Sequence, residues 1–93
     1  MDIKDALSAN CRSQRARVNI GQDCAAERMR ALGFQWVRQT VGEIEHGQRR
    51  IAAEEIFGLA QVLDTTAASL MRISVNGSVS FPNGQEITAN LTG

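Results

Sequence analysis

Apolar residues follow a 3.6-residue period up to about position 72 and a period of two beyond it. Residues 2–17 read as a first helix, with Ile3, Leu7 and Cys11 four apart on one face and Asp2 and Asp5 favouring its N-terminus through the helix dipole. Val18 and Ile20 close the link to a second helix over 22–32, and Gly21 is a tolerable N-cap for it. Ala25, Ala26, Met29 and Leu32 fall at i, i+1, i+4 and i+7, which predicts a buried stripe. Gly33 breaks the pattern. A third helix over about 37–45 points Val41 and Ile44 inward, and Gly47 is its expected left-handed stop. A fourth helix over about 53–63 buries Ile56, Phe57, Leu59, Ala60 and Leu63, with Glu54 and Glu55 in its favourable first turn. Thr65 or Thr66 caps a short fifth helix reaching about residue 72, which buries Leu70, with Met71 a second candidate.

From Ile73 the alternation is that of a half-buried sheet: Ile73, Val75, Val79, Phe81, Ile87 and Ala89 interleave with polar residues. Asn76-Gly77 and Asn83-Gly84 are tight-hairpin signals, and they predict three short strands over 73–75, 78–81 and 86–90. So small a sheet is marginal alone and needs a cover for its apolar face. Three readings stay open: a dimerisation element using Val75, Val79, Phe81 and Ile87, a flap packed on the fourth and fifth helices, or a disordered tail. The expected organisation is a mainly helical unit, 1–72, followed by a C-terminal β extension, 73–93.

The second and third helices, joined across Gly33, have the layout of a helix-turn-helix. Arg38, Gln39 and Glu43 lie on the side of the third helix opposite its apolar residues, where long polar side chains can meet base edges. Charge fits this only when sorted by position, because the formal net charge is zero. Residues 12–50 hold eight Arg against four acids, a net of +4, and the remainder carries −4. Such asymmetry hints at nucleic-acid binding, and arginine outnumbers lysine nine to one, which suits forked contacts to phosphate and guanine.

Other classes are disfavoured. The sequence has no apolar run of about twenty residues and no secretory signal at MDIKDALSAN, so a cytoplasmic location is expected. Cys11 and Cys24 then read as reduced core fillers, and with His46 alone to add they make no metal pattern. One His, no Tyr, no Gly-rich phosphate loop and no nucleophile–base spacing argue against an enzyme, and no cofactor is expected.

Residues 11–71 resemble the phage-repressor and Cro type of helix-turn-helix domain, the lambda-repressor-like or xenobiotic-response-element family. The resemblance rests on Gln22-x-x-Ala25-Ala26, on Gly33, on Thr40-Val41-x-x-Ile44-Glu45-x-Gly47, and on Leu59-Ala60-x-x-Leu63-Asp64. It implies a five-helix fold whose third helix reads bases through Arg38, Gln39 and Glu43. It also implies phosphate contacts from Gln22, while Thr40 is placed for a phosphate or a thymine methyl. His46, Arg49 and Arg50, in the polar stretch after the helix, are expected to add phosphate contacts. Arg15 matches a family arginine paired with the glutamate that is Glu45 here; the alternative for Arg15 is a phosphate contact.

The chain departs from the family pattern between Gln22 and Gly33, which lie about three residues further apart than usual. Phe34-Gln35-Trp36 sits in the longer turn, with Trp36 expected to pack under the third helix. Val37 stands where a hydroxyl cap is usual, and Gly42 lies mid-helix, either as a point of close approach to DNA or as a tolerated weak spot. The function expected is a sequence-specific regulator, a repressor or Cro-like phage or mobile-element switch, binding a near-palindromic operator as a homodimer. The alternative is an antitoxin or other interaction module whose C-terminal segment binds a partner protein.

Overall fold

The computed structural model describes residues 3–72 and 78–88. Five helices run in order: α1 (Ile3–Arg17), α2 (Gln22–Ala31), α3 (Arg38–Glu45), α4 (Ala53–Val62) and α5 (Ala67–Leu70). Two strands follow, β1 (Ser78–Ser80) and β2 (Glu86–Thr88). The expected mainly helical class with a small C-terminal hairpin is the observed one.

The first four helices end in the same way. Beyond each C-cap, one residue turns left-handed: Asn19 (φ 58°), Gly33 (φ 100°), Gly47 (φ 70°) and Asp64 (φ 55°). Each of these donates its N–H to the carbonyl three residues back, and the residue after it reaches back five, as in Gly33 N to Arg30 O at 2.9 Å and Phe34 N to Met29 O at 3.2 Å. This satisfies carbonyls that helix ends leave unpaired. Asn and Asp tolerate the left-handed region better than other residues with a Cβ, so all four stops are local chemistry.

The core gathers Leu7, Cys11, Ala25, Ala26, Met29, Trp36, Val41, Ile44, Leu59, Ala60, Val62, Leu63 and Leu70. Burial pushes the Cys11 thiol up to about 12, with the Glu45 charge adding to the effect, so this thiol stays protonated at neutral pH. Two expected core residues are outside, as is Met71, the second candidate after Leu70, at 40% exposed. Leu32, 41% exposed, is the C-cap of α2, where the chain has already left the helical stripe. Phe57 is 68% exposed because α4 is rotated from the expected face, with Glu55, Gly58 and Val62 taking the inward side. Gly58 explains that rotation in part. A Cβ there would stand 2.9 Å from Phe34 Cε2 and 3.3 Å from Met29 Cε, so α2 and its following turn approach α4 closely enough that a side chain at 58 would have to displace the Phe34 ring.

Polar side chains of α1 hold the far helices. Asn10 Nδ2 donates to Leu70 O (2.7 Å) and Arg72 O (2.6 Å), and Gln14 Nε2 donates to Leu63 O (2.8 Å). Loose carbonyls at the ends of α4 and α5 are thereby tied to the first helix.

In the hairpin, Ser78 pairs with Thr88, Val79 with Ile87 and Ser80 with Glu86. The strand expected over 78–81 stops at Ser80 because Phe81 already opens the turn: Gly84 N donates to Phe81 O at 3.0 Å, with Gly84 at φ +88°. Asn83 Oδ1 accepts from Gln85 N at 3.0 Å, the usual asparagine turn device. Phe81 (42%) and Ile87 (50%) are exposed, so the expected alternative of a flap covering both against the helices does not hold for them. The expected strand 73–75 with Val75, the Asn76-Gly77 turn and the end of the last strand lie outside the described residues.

Gly58→Ala is expected to lower stability by about 1 kcal/mol in denaturant unfolding. Overpacking of about 1–3 kcal/mol outweighs the helix-propensity gain of about 1 kcal/mol. A rise in the unfolding midpoint would show that the α2–α4 approach has slack.

Candidate nucleic-acid interface

Helix α3 is gripped at both ends. At its C-terminal end, Glu45 has a side chain only 3% exposed. Arg15 of α1 reaches it with a fork, Nε to Oε2 at 2.6 Å and Nη2 to Oε1 at 3.0 Å. Gln22, the first residue of α2, donates Nε2 to Oε1 at 3.2 Å, and Arg15 Nη1 donates to Ile20 O at 3.0 Å. One carboxylate thus joins three helices and the link between two of them. Arg15 is spent inside the protein, which argues against its use as a phosphate contact.

The second grip is centred on Glu55. Trp36, 2% exposed, donates Nε1 to Glu55 Oε2 at 2.8 Å. Arg49 forks onto the same carboxylate at 3.2 and 3.0 Å and lies over the Trp36 ring, 5.5 Å from its centroid. Ala52 N completes the set at 2.8 Å to Oε1, the backward half of a capping box at the start of α4. Arg30 Nη1 donates to the Trp36 carbonyl at 2.7 Å. The lengthened turn between α2 and α3 is therefore pinned to the loop between α3 and α4. Burial alone would raise the Glu55 carboxyl. The bonds from Arg49, Ala52 and Trp36 outweigh it and hold the group below its usual 4.5.

Between the grips, Gln22, Arg38, Gln39, Gly42, Glu43 and Gln48 line a shallow open groove along the outer side of α3. The three expected base readers share this groove. Arg38 is loosely held, its Nη1 3.9 Å from Asp23 Oδ2 with both side chains mostly exposed, so the pair restrains it little. Arg50, in the loop after α3, is exposed.

Four expected phosphate contacts carry internal duties instead of, or before, external ones. Arg49 is the clearest case: its guanidinium bonds Glu55 and lies over the Trp36 ring. Thr40 Oγ1 accepts from Val37 N at 3.2 Å, so it caps its own helix and compensates for the missing hydroxyl at Val37. Gln22 spends a donor on Glu45. His46 Nδ1 lies 2.7 Å from Gly42 O and must be the donor there, since a carbonyl only accepts; Nε2 remains on the outer side of the ring. Sequence reasoning missed Glu55, read only as a dipole-favoured residue. Its place three residues after Ala52 is the spacing of a capping glutamate. Gln48 was also missed as a groove residue.

Among the described residues no group of three or more His, Cys, Asp or Glu is placed to hold a metal ion, and no helix is long and apolar enough to cross a membrane. No family model matches the chain, and no curated protein matches it. Solved structures do. The restriction-modification controller protein C.AhdI from Aeromonas hydrophila superposes with a TM-score of 0.63 at 25% identity, over 72% of this chain and 90% of that one. The clp gene regulator ClgR from C. glutamicum gives a TM-score of 0.66 at 23% identity, over 74% and 83%. The fold is the lambda-repressor-like helix-turn-helix.

Two outcomes test the grips. Arg15→Ala leaves the Glu45 charge buried without its partner and is expected to cost about 3–5 kcal/mol in chemical denaturation; a loss under 1 kcal/mol would show that the pair is replaceable. Because the folded pKa of Glu55 lies below the unfolded one, its contribution is full above pH 4.5 and is lost as pH falls through the folded value. The stability difference between wild type and Glu55→Gln should therefore shrink in unfolding curves taken below pH 4.5. A gap independent of pH would assign Glu55 no titrating role.

Proposed function

We propose that the chain is a sequence-specific DNA-binding transcriptional regulator that lays α3 in the major groove of its operator. The observation that carries this reading is the groove on α3. Arg38, Gln39 and Glu43 project from a helix whose axis and rotation are fixed by Glu45 at one end and by Trp36 and Glu55 at the other. Preorganised polar tips on a rigid helix suit base-edge recognition: Arg38 to guanine O6 and N7, Gln39 to adenine N6 and N7, Glu43 to cytosine N4. The net +4 of residues 12–50 supplies attraction to phosphate. C.AhdI is named as a restriction-modification controller and ClgR as a gene regulator, which supports the regulatory class.

The protein acts as a homodimer, a repressor or Cro-like switch, in the bacterial cytoplasm, with half-sites about 34 Å apart. It has no catalytic role. Exposed Phe81 and Ile87 are what favours pairing through the C-terminal hairpin, since a two-stranded sheet with an open apolar face is marginal alone. The same exposure favours the second reading, an antitoxin-like module whose hairpin binds a foreign protein. Sedimentation of the full chain and of a Phe81→Asp/Ile87→Asp variant separates them: a dimer that becomes a monomer supports the first, a monomer in both cases the second.

Arg38→Ala is expected to cost about 1–3 kcal/mol against one base pair and to relax specificity there. Arg50→Ala should weaken all duplexes alike and lower the slope of log affinity against log salt by about one. Binding to a randomised duplex pool at two salt concentrations reads both. Equal losses from Arg38→Ala on every sequence would remove it as a base reader, and no binding at low salt would end the DNA reading.

A further inference from the structure

Gly42 lies in the middle of the outward face of α3, one turn after Arg38 and one turn before His46, with Gln39 and Glu43 beside it. A glycine there costs helix stability of about 1 kcal/mol relative to alanine. The fold does not require it. Gly42 is not left-handed, and a Cβ added to it would meet nothing nearer than Gln22 Nε2, at 3.8 Å, an ordinary contact. What the missing Cβ does leave is a dimple in the groove floor, rimmed by Gln22, Arg38, Gln39, Glu43 and Gln48.

The chemistry of that floor is restrictive. The Gly42 carbonyl already accepts two bonds, from His46 N at 3.0 Å and from the His46 ring at 2.7 Å. Its N–H lies beyond the first turn and belongs to the helical ladder. The floor of the dimple therefore offers carbon and no free backbone donor or acceptor, with Gln22 Nε2 and the other polar tips standing at its rim, so a polar group pressed onto the floor itself gains no bond there. An apolar group one carbon in size fits. On the major-groove edge of DNA the apolar group is the methyl on pyrimidine C5, carried by thymine and by 5-methylcytosine.

We propose that Gly42 is a specificity-determining position, a receptor for one pyrimidine C5-methyl group per half-site. This deepens the DNA-binding reading above and rests on it. The absence of a side chain lets the helix backbone close on the base edge, and the long residues around it take up the polar contacts.

The test uses the full chain and the duplex it enriches from a random pool. Each thymine is replaced singly by deoxyuridine, which removes only the methyl, and in a second arm each cytosine by 5-methylcytosine. One position per half-site should respond, either losing affinity about four-fold with uracil or gaining about as much with methylation. The first response assigns the methyl to thymine, the second to methylated cytosine. Gly42→Ala fills the dimple, so it should keep or raise the melting temperature while the response at that position disappears. Indifference of the wild type to both replacements at every position would overturn the proposal while leaving DNA binding intact, as would an unchanged response in Gly42→Ala. Failure to enrich or bind any duplex would instead overturn the DNA reading itself.

Discussion

Glu45 occupies a position that two physical effects oppose. Its side chain is 3% exposed, and it stands in the last turn of α3, where the helix dipole disfavours negative charge. Three donors from two other helices make the position tenable, and in doing so they fix more than a charge. The planar Arg15 fork sets the rotation of α3 about its own axis, because both nitrogens reach the two oxygens together only over a narrow range of angles. An apolar pair of equal volume could stabilise the core as well, yet it would tolerate sliding and rolling. For a helix that presents a pattern of side chains outward, rotation is the coordinate that matters.

The lengthened turn between α2 and α3 makes a second constraint necessary. Extra residues at this point loosen the relation between the two helices unless something ties them down. Trp36 does so by burying its ring and donating its one polar hydrogen to Glu55, while its carbonyl is held by Arg30. Arg49 covers the other face of that indole and closes the pair. The insertion and its fastening are one unit, since Glu55 at that burial needs the donors that the turn and the loop after α3 provide.

The limits of what the sequence disclosed follow from the range of each interaction. Helix positions and their left-handed stops were legible, because Gly33 and Gly47 act within a turn of themselves; Asn19 and Asp64 use the same device with a weaker signature. The partnership of Arg15 and Glu45 was legible only through family resemblance, being thirty residues apart in the chain. Phe57 was misplaced because periodicity ranks residues by hydrophobicity. Here a glycine needed for close approach and a glutamate fastening the turn took the inward face of α4. The internal role of Arg49 was hidden for a related reason. A basic residue in a loop after a reading helix resembles a phosphate contact until its acidic partner, six residues on, is seen to be buried with it.

Placement of the charge completes the division of labour. Internal pairs consume Arg15 and Arg49, leaving Arg38 exposed on the groove itself and Arg50 exposed in the loop after α3. The first is restrained only weakly by Asp23, so its tip can reorient at small cost. Rigidity therefore resides in the backbone of α3 and freedom in the tips of its polar side chains. That order favours discrimination: a fixed helix makes the spacing between tips a property of the protein, and a wrong base must then leave a polar group unpaired. A helix free to roll would let the tips find alternative partners, and affinity would survive while specificity was lost.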